Sequence, residues 1–261
     1  MHRSASRRLT RVLACAAVPV ILTVAGCSSD SGKASGSDSG KKSDSAASAK
    51  PSAKPSPTLE KAAFAALPDP CKAVQTKTIE SLVPEAKDKN GTATKSNDLA
   101  SRASCSWNGL DEDGLKGSQY RWLSISLFRY DSHASLGSAN KRAEEQYGKQ
   151  VEAAKGSEGA QNVKAEDAGG IGDQGTSVTY SVKKDVDFFN TTVVARAQNV
   201  VVTLDYNGAA YEGAAAPDQA KLLQDAIAAA KEAVGSIDAA NQQAAQPSQE
   251  ASAQPSAQPQ Q

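Results

Sequence analysis

Three observations predict an α+β domain with a mostly antiparallel sheet packed with helices. Segments 119–130, 176–182, 189–196 and 200–206 are rich in strand-forming residues, and the last three follow one another through turns too short for a crossover helix, so they run antiparallel. Helical spacing appears before and after these runs rather than between every pair of strands, which gives the order α, β, β, α, β, β, β, α. Residues 28–57 and 239–261 hold no large apolar side chain, which confines the domain to residues 59–238. About 180 residues suffice for one core.

A short helix is expected from Thr58 to Leu67. Asp69-Pro70-Cys71 opens a second: Asp at the N-cap accepts orphan amides, and Pro at the first helical position loses no needed hydrogen bond. Val74, Ile79 and Leu82 give it an apolar side, and Pro84 stops it after Val83. Residues 87–101 are polar and read as a loop, 103–108 as a short strand and 109–117 as a turn. In 119–130, Leu123, Ile125 and Leu127 fall on one face, and Trp122, Ser124, Ser126, Phe128 and Tyr130 on the other. Asp131 or Ser132 is expected to cap a helix to about Val151, with Leu136, Ala139, Ala143, Tyr147 and Val151 as its apolar stripe. Residues 156–172 read as a loop, and a three-strand meander follows. Pro217-Asp218 opens the last helix, where Ala220, Leu223, Ile227, Ala230, Val234 and Ile237 recur at spacings of three and four.

The ends carry addressing signals. Arg3, Arg7, Arg8 and Arg11 precede an apolar run from Val12 to Ala25, the layout of a secretory signal too short to span a membrane after maturation. Val24-Ala25-Gly26-Cys27 reads as a lipobox, so residues 1–26 are expected to be removed and Cys27 to receive diacylglycerol and palmitate-type acyl chains. Two chains hold a protein stably at a membrane where one does not. Cys15 is a poorer acceptor because almost no apolar run precedes it. Ser6-Arg7-Arg8-Leu9 resembles a twin-arginine export motif with Thr10 where an apolar residue is usual, which leaves the export route open. Residues 27–58 then form a disordered Ser/Gly/Lys/Pro linker, ~30 Å in average reach, and residues 239–261 a disordered Ala/Gln/Ser/Pro tail. The expected location is the cell membrane, lipid-anchored on its extracellular face. The mature balance of 25 basic against 29 acidic residues, a net of −4, argues against nucleic acid as a partner.

Cys71 and Cys105 remain after Cys15 is cleaved off and Cys27 acylated. An even count in an exported protein reads as a disulfide. A two-cysteine metal site and free thiols are the alternatives, made weak by the absence of C-x-x-C spacing and by His133 being the one histidine of the mature chain.

Asp69-Pro70-Cys71, then Cys105-Ser106-Trp107 about 35 residues later, then Gly170-Ile171-Gly172-Asp173 before a meander, resembles the actinobacterial lipoprotein family filed as DUF3558. The resemblance covers roughly residues 60–238. It implies a cell-envelope α+β domain, pairing of the two cysteines, and no established activity. A more distant similarity is to the extracellular sensor domains of mycobacterial Ser/Thr kinases, which are read as ligand-binding modules.

No catalytic, cofactor or metal signature emerges. Gly170-Ile171-Gly172-Asp173-Gln174-Gly175 fits G-x-G-x-x-G but precedes a strand, where the phosphate-binding version opens a helix. Asp111-Glu112-Asp113-Gly114 lacks the third acidic position and distal Glu of a calcium loop. His133 has no G-x-S-x-G partner, and Glu166-Asp167 and Asp185 with Asp187 lie in expected loops rather than as a hydrolase dyad. Trp107, Trp122, Phe128 and Tyr130 are four aromatics within 24 residues. They read as core on both sides of a covered sheet, or as an apolar groove between sheet and helix holding a small hydrophobic ligand. The expected function is therefore a membrane-anchored, non-enzymatic module that binds such a ligand or an envelope protein. A cell-wall hydrolase or transferase and a structural surface lipoprotein are the alternatives.

Overall fold

The structure, a computed structural model, describes residues 59–245. The expected signal, Cys27, the whole linker and the last part of the tail lie outside the described residues.

The α+β expectation is met by a single sheet of seven strands in the order β1-β2-β3-β7-β6-β5-β4, with every neighbouring pair antiparallel. β2 (Arg102–Glu112) and β3 (Ser118–Arg129) form one long hairpin; β5 (Gln174–Lys183), β6 (Asp187–Ala197) and β7 (Val200–Tyr211) form the meander; β1 (Thr92–Ala93) and β4 (Ala160–Asp167) are the edges. The halves join where β3 pairs with β7 along their whole length, from Ser118 opposite Tyr211 to Arg129 opposite Val200.

The 3.6 and 2.0 residue periods sort the rest. On one face Leu123, Ile125 and Leu127 of β3 meet Val200, Val202, Leu204 and Tyr206 of β7 and Val193, Ala195 and Ala197 of β6, all buried. They are covered by α1 (Thr76–Leu82), through Ile79 and Leu82, and by α3 (Gln219–Ala245). α3 turns a row of small residues to the sheet: Ala226, Ala229, Ala230 and Ala233 are all inaccessible to solvent, flanked by Leu222, Val234 and Ile237. The buried stripe is thus rotated from the expected one. Ala220 is exposed and Leu223 and Ile227 lie at the margin, because the alanines let the helix axis approach the large sheet residues closely. α2 (Ala139–Lys155) lies on the other face, over a smaller core of Ala143, Val194 and Val201 bordered by Tyr130, Tyr147 and Val151. Side-chain parity settles this arrangement, since neighbours along a strand point to opposite faces.

Several local expectations are corrected. Residues 59–67 form no helix; their backbone is held by distant amides. Asn199 binds both the N–H (2.8 Å) and C=O (2.9 Å) of Phe64, and Asn241 on α3 receives the N–H groups of Ala65 and Ala66. Asp69 caps Cys71 as expected, but Pro70–Lys72 is only a 3-10 turn. The α-helix restarts at Thr76, because Glu232 of α3 accepts from the Gln75 N–H (2.9 Å) and the Thr78 hydroxyl (2.8 Å), acting as a cap from across the core. α2 begins after Ser138, not Ser132. Residues 133–137 make a turn closed by His133 and Gly137, which leaves Leu136 55% exposed. Residues 160–167, expected as loop, form the exposed edge strand β4, whose side chains carry no buried period. α3 runs to Ala245, past the expected boundary at 238.

The cysteines are bonded: Cys71–Cys105 ties the 3-10 turn to β2 with a Cα–Cα distance of 5.1 Å. Gly91 explains how the polar loop crosses this bond. It sits at φ +78°, and a Cβ there would lie 2.5 Å from the Cys105 Sγ and 2.6 Å from the Trp107 ring. Gly172 has the same kind of role in the G-x-G-x-x-G run. At φ +60° its Cβ would fall 2.4 Å from the Arg196 carbonyl, and Asp173 turns back to Arg196 (3.1 Å) and the Gln198 N–H (2.7 Å). The motif is a tight turn against β6.

Candidate functional site

The strand register decides the fate of the four aromatics. Trp107 pairs with Leu123 and is 2% exposed in the main core, its indole N–H donating to the Lys89 carbonyl at 3.3 Å. Trp122, Phe128 and Tyr130 point to the opposite, α2 face. The four therefore do not line one groove, a correction that follows from Trp107 and Trp122 sitting on opposite sides of one sheet. Tyr130 lies at the edge of the small α2 core with the Arg142 guanidinium 5.5 Å from its ring centre, and Phe128 is opposite Val201. Trp122 alone opens into a cavity.

That cavity occupies the part of the α2 face that the helix does not cover. Across β3, β7, β6 and β5, one row reads Trp122, Asn207, Asn190, Tyr180 and the next reads Tyr120, Ala209, Phe188, Val182. A pocket of about 290 Å³ lies over these rows, lined by Tyr120, Trp122, Phe188, Asn190 and Asn207, with Glu158 and Lys184 among its other walls. Tyr120 and Phe188 meet edge to face, ring centres 6.3 Å apart at 71°, across the small Ala209, and the Lys184 ammonium stands 5.3 Å from the Phe188 ring. Tyr120 is also shared with a wider cleft of about 640 Å³ at the β2–β3 end, where Asn108, Leu110 and Tyr211 are among the walls. The two cavities share Tyr120 as a wall and lie over the same face of the sheet, side by side along one strip.

The floor is wired from one side. Next to the Trp122 row, Asp205 accepts from the Thr192 hydroxyl at 2.6 Å and the Ser124 hydroxyl at 3.4 Å. Burial pushes the Asp205 carboxyl above its ordinary value, and these two hydroxyls pull it back only in part. Burial, with the Tyr211 phenol adding to it, likewise raises Tyr120. The raised Asp205 has a direct consequence. Between the ordinary carboxyl value of the unfolded chain and the higher folded value, the folded state holds the extra proton, so stability falls as pH rises through that window. Asp205→Asn keeps an acceptor for Thr192 and removes the buried charge. It is expected to raise the melting temperature at pH 7 and flatten this part of the pH profile. A wild-type pH dependence retained in the variant would contradict the assignment.

Of the remaining sequence candidates, Glu112 and Gly114 of the Asp111–Gly114 run are walls of the wider cleft. His133 lies in its exposed turn, beside the Ser135 hydroxyl at 3.0 Å. Asp113 pairs with Lys116 at the hairpin tip, Asp187 with Lys183, and Glu166 and Asp167 are on exposed β4. The site residues that single-sequence reading missed are Tyr120, Phe188, Asn190, Asn207 and Asp205. The alternation Thr203, Asp205, Asn207 against Val202, Leu204, Tyr206 did signal a polar face on β7. Only the register shows which strands lie beside it.

The described residues thus form an α+β domain with a single antiparallel sheet, helices on both faces, one disulfide, and an aromatic and amide-floored strip left open beside α2. The chain belongs to the family described as "Protein of unknown function (DUF3558)", whose model matches residues 22–189. Among solved structures, it is similar to the one titled "Crystal structure of LpqN involved in cell envelope biogenesis of Mycobacterium tuberculosis", with 17% identity over 54% of this chain and 82% of that chain and a TM-score of 0.26. No curated protein matches it. Among the described residues, no helix is long and apolar enough to cross a membrane.

Proposed function

We propose that the chain is a lipid-anchored cell-envelope protein, held at the outer face of the membrane through Cys27, whose domain binds a ligand or partner in the strip beside α2. The lipobox and the Ser/Gly/Lys/Pro spacer support the anchor and the reach. The observation that carries the binding reading is the pocket over Trp122: large side chains and amides stand in an open concavity although α2 is at hand on the same face to cover them. Ligand sites have this composition, apolar walls with a few polar groups that fix orientation. It reads as a binding module rather than an enzyme.

One experiment tests both parts. Cys27→Ala, expressed in an actinobacterial host, should lose alkyne-palmitate labelling and be released into the medium; label or membrane retention on the variant would contradict the anchor. The released chain, analysed by native mass spectrometry, should carry an adduct that denaturation removes.

A further inference from the structure

We infer that the strip from Trp122 to Tyr120 is a saccharide-binding site for a neutral pyranose unit. The inference rests on the proposal that this strip is the ligand site, and it names the ligand's chemistry. Three observations converge. First, the walls combine flat aromatic surface with planar amides: Trp122 is directly beside Asn207, Asn190 follows on the next strand, and Tyr120 and Phe188 flank Ala209 in the adjoining row. A sugar ring has this double character, with axial C–H bonds that lie on an aromatic face and equatorial hydroxyls that both donate and accept. A side-chain amide offers a donor and an acceptor at one end and so matches a hydroxyl in either role. An acyl chain would leave those amides desolvated without partners, which costs free energy that a hydroxyl-bearing ligand does not incur.

Second, the amides are available. Asn190 gives one donor to the Phe188 carbonyl at 3.0 Å, which fixes its plane, and the rest of its amide and the Asn207 amide have no hydrogen-bond partner among the described residues. The Trp122 indole N–H is in the same position, in contrast to that of Trp107, which is bonded to Lys89. Third, the charge is balanced. Glu158 and Lys184 are the ionisable carboxylate and ammonium of the smaller pocket, one of each sign, so the pocket favours neither an anion nor a cation. The wider cleft that shares Tyr120 extends the same floor toward Leu110 and Tyr211, which gives room for more than one sugar.

A neutral saccharide in the envelope can be part of a wall glycan or the headgroup of a glycolipid, and the test separates the two. The chain holds two tryptophans, one sealed in the core and one in the strip, so emission changes on titration report Trp122. The secreted chain carrying Cys27→Ser is titrated with maltotetraose, chitotetraose, dodecyl maltoside and dodecylphosphocholine, with calorimetry alongside. A response to either tetrasaccharide supports the inference and points to a glycan. A response to dodecyl maltoside with none to dodecylphosphocholine supports it and points to a glycolipid headgroup. In either case Trp122→Ala should weaken binding at least tenfold and Asn207→Ala at least fivefold, followed calorimetrically, with melting temperatures near that of the parent. Asn207→Ala replaces a half-exposed amide and keeps the test decisive if Trp122→Ala folds poorly. Equal binding of both dodecyl compounds with no response to the tetrasaccharides overturns the saccharide inference while leaving a ligand site in place. No response to any of the three sugars also overturns it, and the adduct measurement on the released chain then decides separately whether the strip binds anything.

Discussion

Replacing Cys71 and Cys105 together by serine should lower the free energy of unfolding by about 3.8 kcal/mol, from the chain entropy of a loop with this sequence separation of 34. For a domain of this size that corresponds to a fall of roughly 8–15 °C in melting temperature. The bond has an unusual amount to hold. The 3-10 turn at Pro70–Lys72 is short, and the backbone before it is fixed by side chains of Asn199 and Asn241 rather than by a helix of its own. The Cys105 end sits under Gly91, where the polar loop crosses, and next to Trp107, so losing the bond also loosens the lid over that end of the core. Urea unfolding of the double variant against the parent, each with and without reductant, measures the effect. The parent should shift toward the variant on reduction. A common midpoint for all four would contradict the structural role of the bond.

Ile125→Ala should cost about 2–5 kcal/mol, the range for deleting a large side chain from a core that relaxes only in part. Ile125 is 0% exposed, stands between Cys105 and Leu204 in the ladder, and belongs to the main core. Its neighbour Cys105 is tied to Cys71, which limits how far the surroundings can close on the space. Phe128→Ala, on the opposite face and half-exposed, should cost clearly less although it removes a larger side chain. Denaturant midpoints of the two variants test the assignment of faces directly. Equal losses, or a larger one for Phe128, would mean that the main core is on the wrong side.

How far the sequence carries can be stated residue by residue. The β3 face assignment was readable, because Leu123, Ile125 and Leu127 alternate with polar and aromatic residues and parity does the rest. The meander was readable from its short turns. The cysteine pairing was expected, and the bond is there. The β3–β7 junction was not, since it joins segments some eighty residues apart and no local pattern names its partner. β4 escaped because an edge strand exposed along its length has no buried period to detect. The expected helix from Thr58 to Leu67 and the early start of α2 failed because side chains satisfy the backbone instead: Asn199 and Asn241 from across the fold in the first case, and Ser132, which accepts from the Ala139 N–H, in the second. The aromatic cluster shows the same limit at the site. Proximity in sequence grouped Trp107 with Trp122, whereas the sheet separates them and brings Phe188, Asn190 and Asn207 to Trp122 from strands far along the chain.

The most direct measurement on the central claim is native mass spectrometry of the chain released by Cys27→Ala, compared with the same chain carrying Trp122→Ala as well. The account predicts a mass adduct on the first that vanishes on denaturation, with the adduct absent or strongly reduced on the second. A bare polypeptide mass for both, or an adduct equally retained by both, would contradict the strip beside α2 as the binding site.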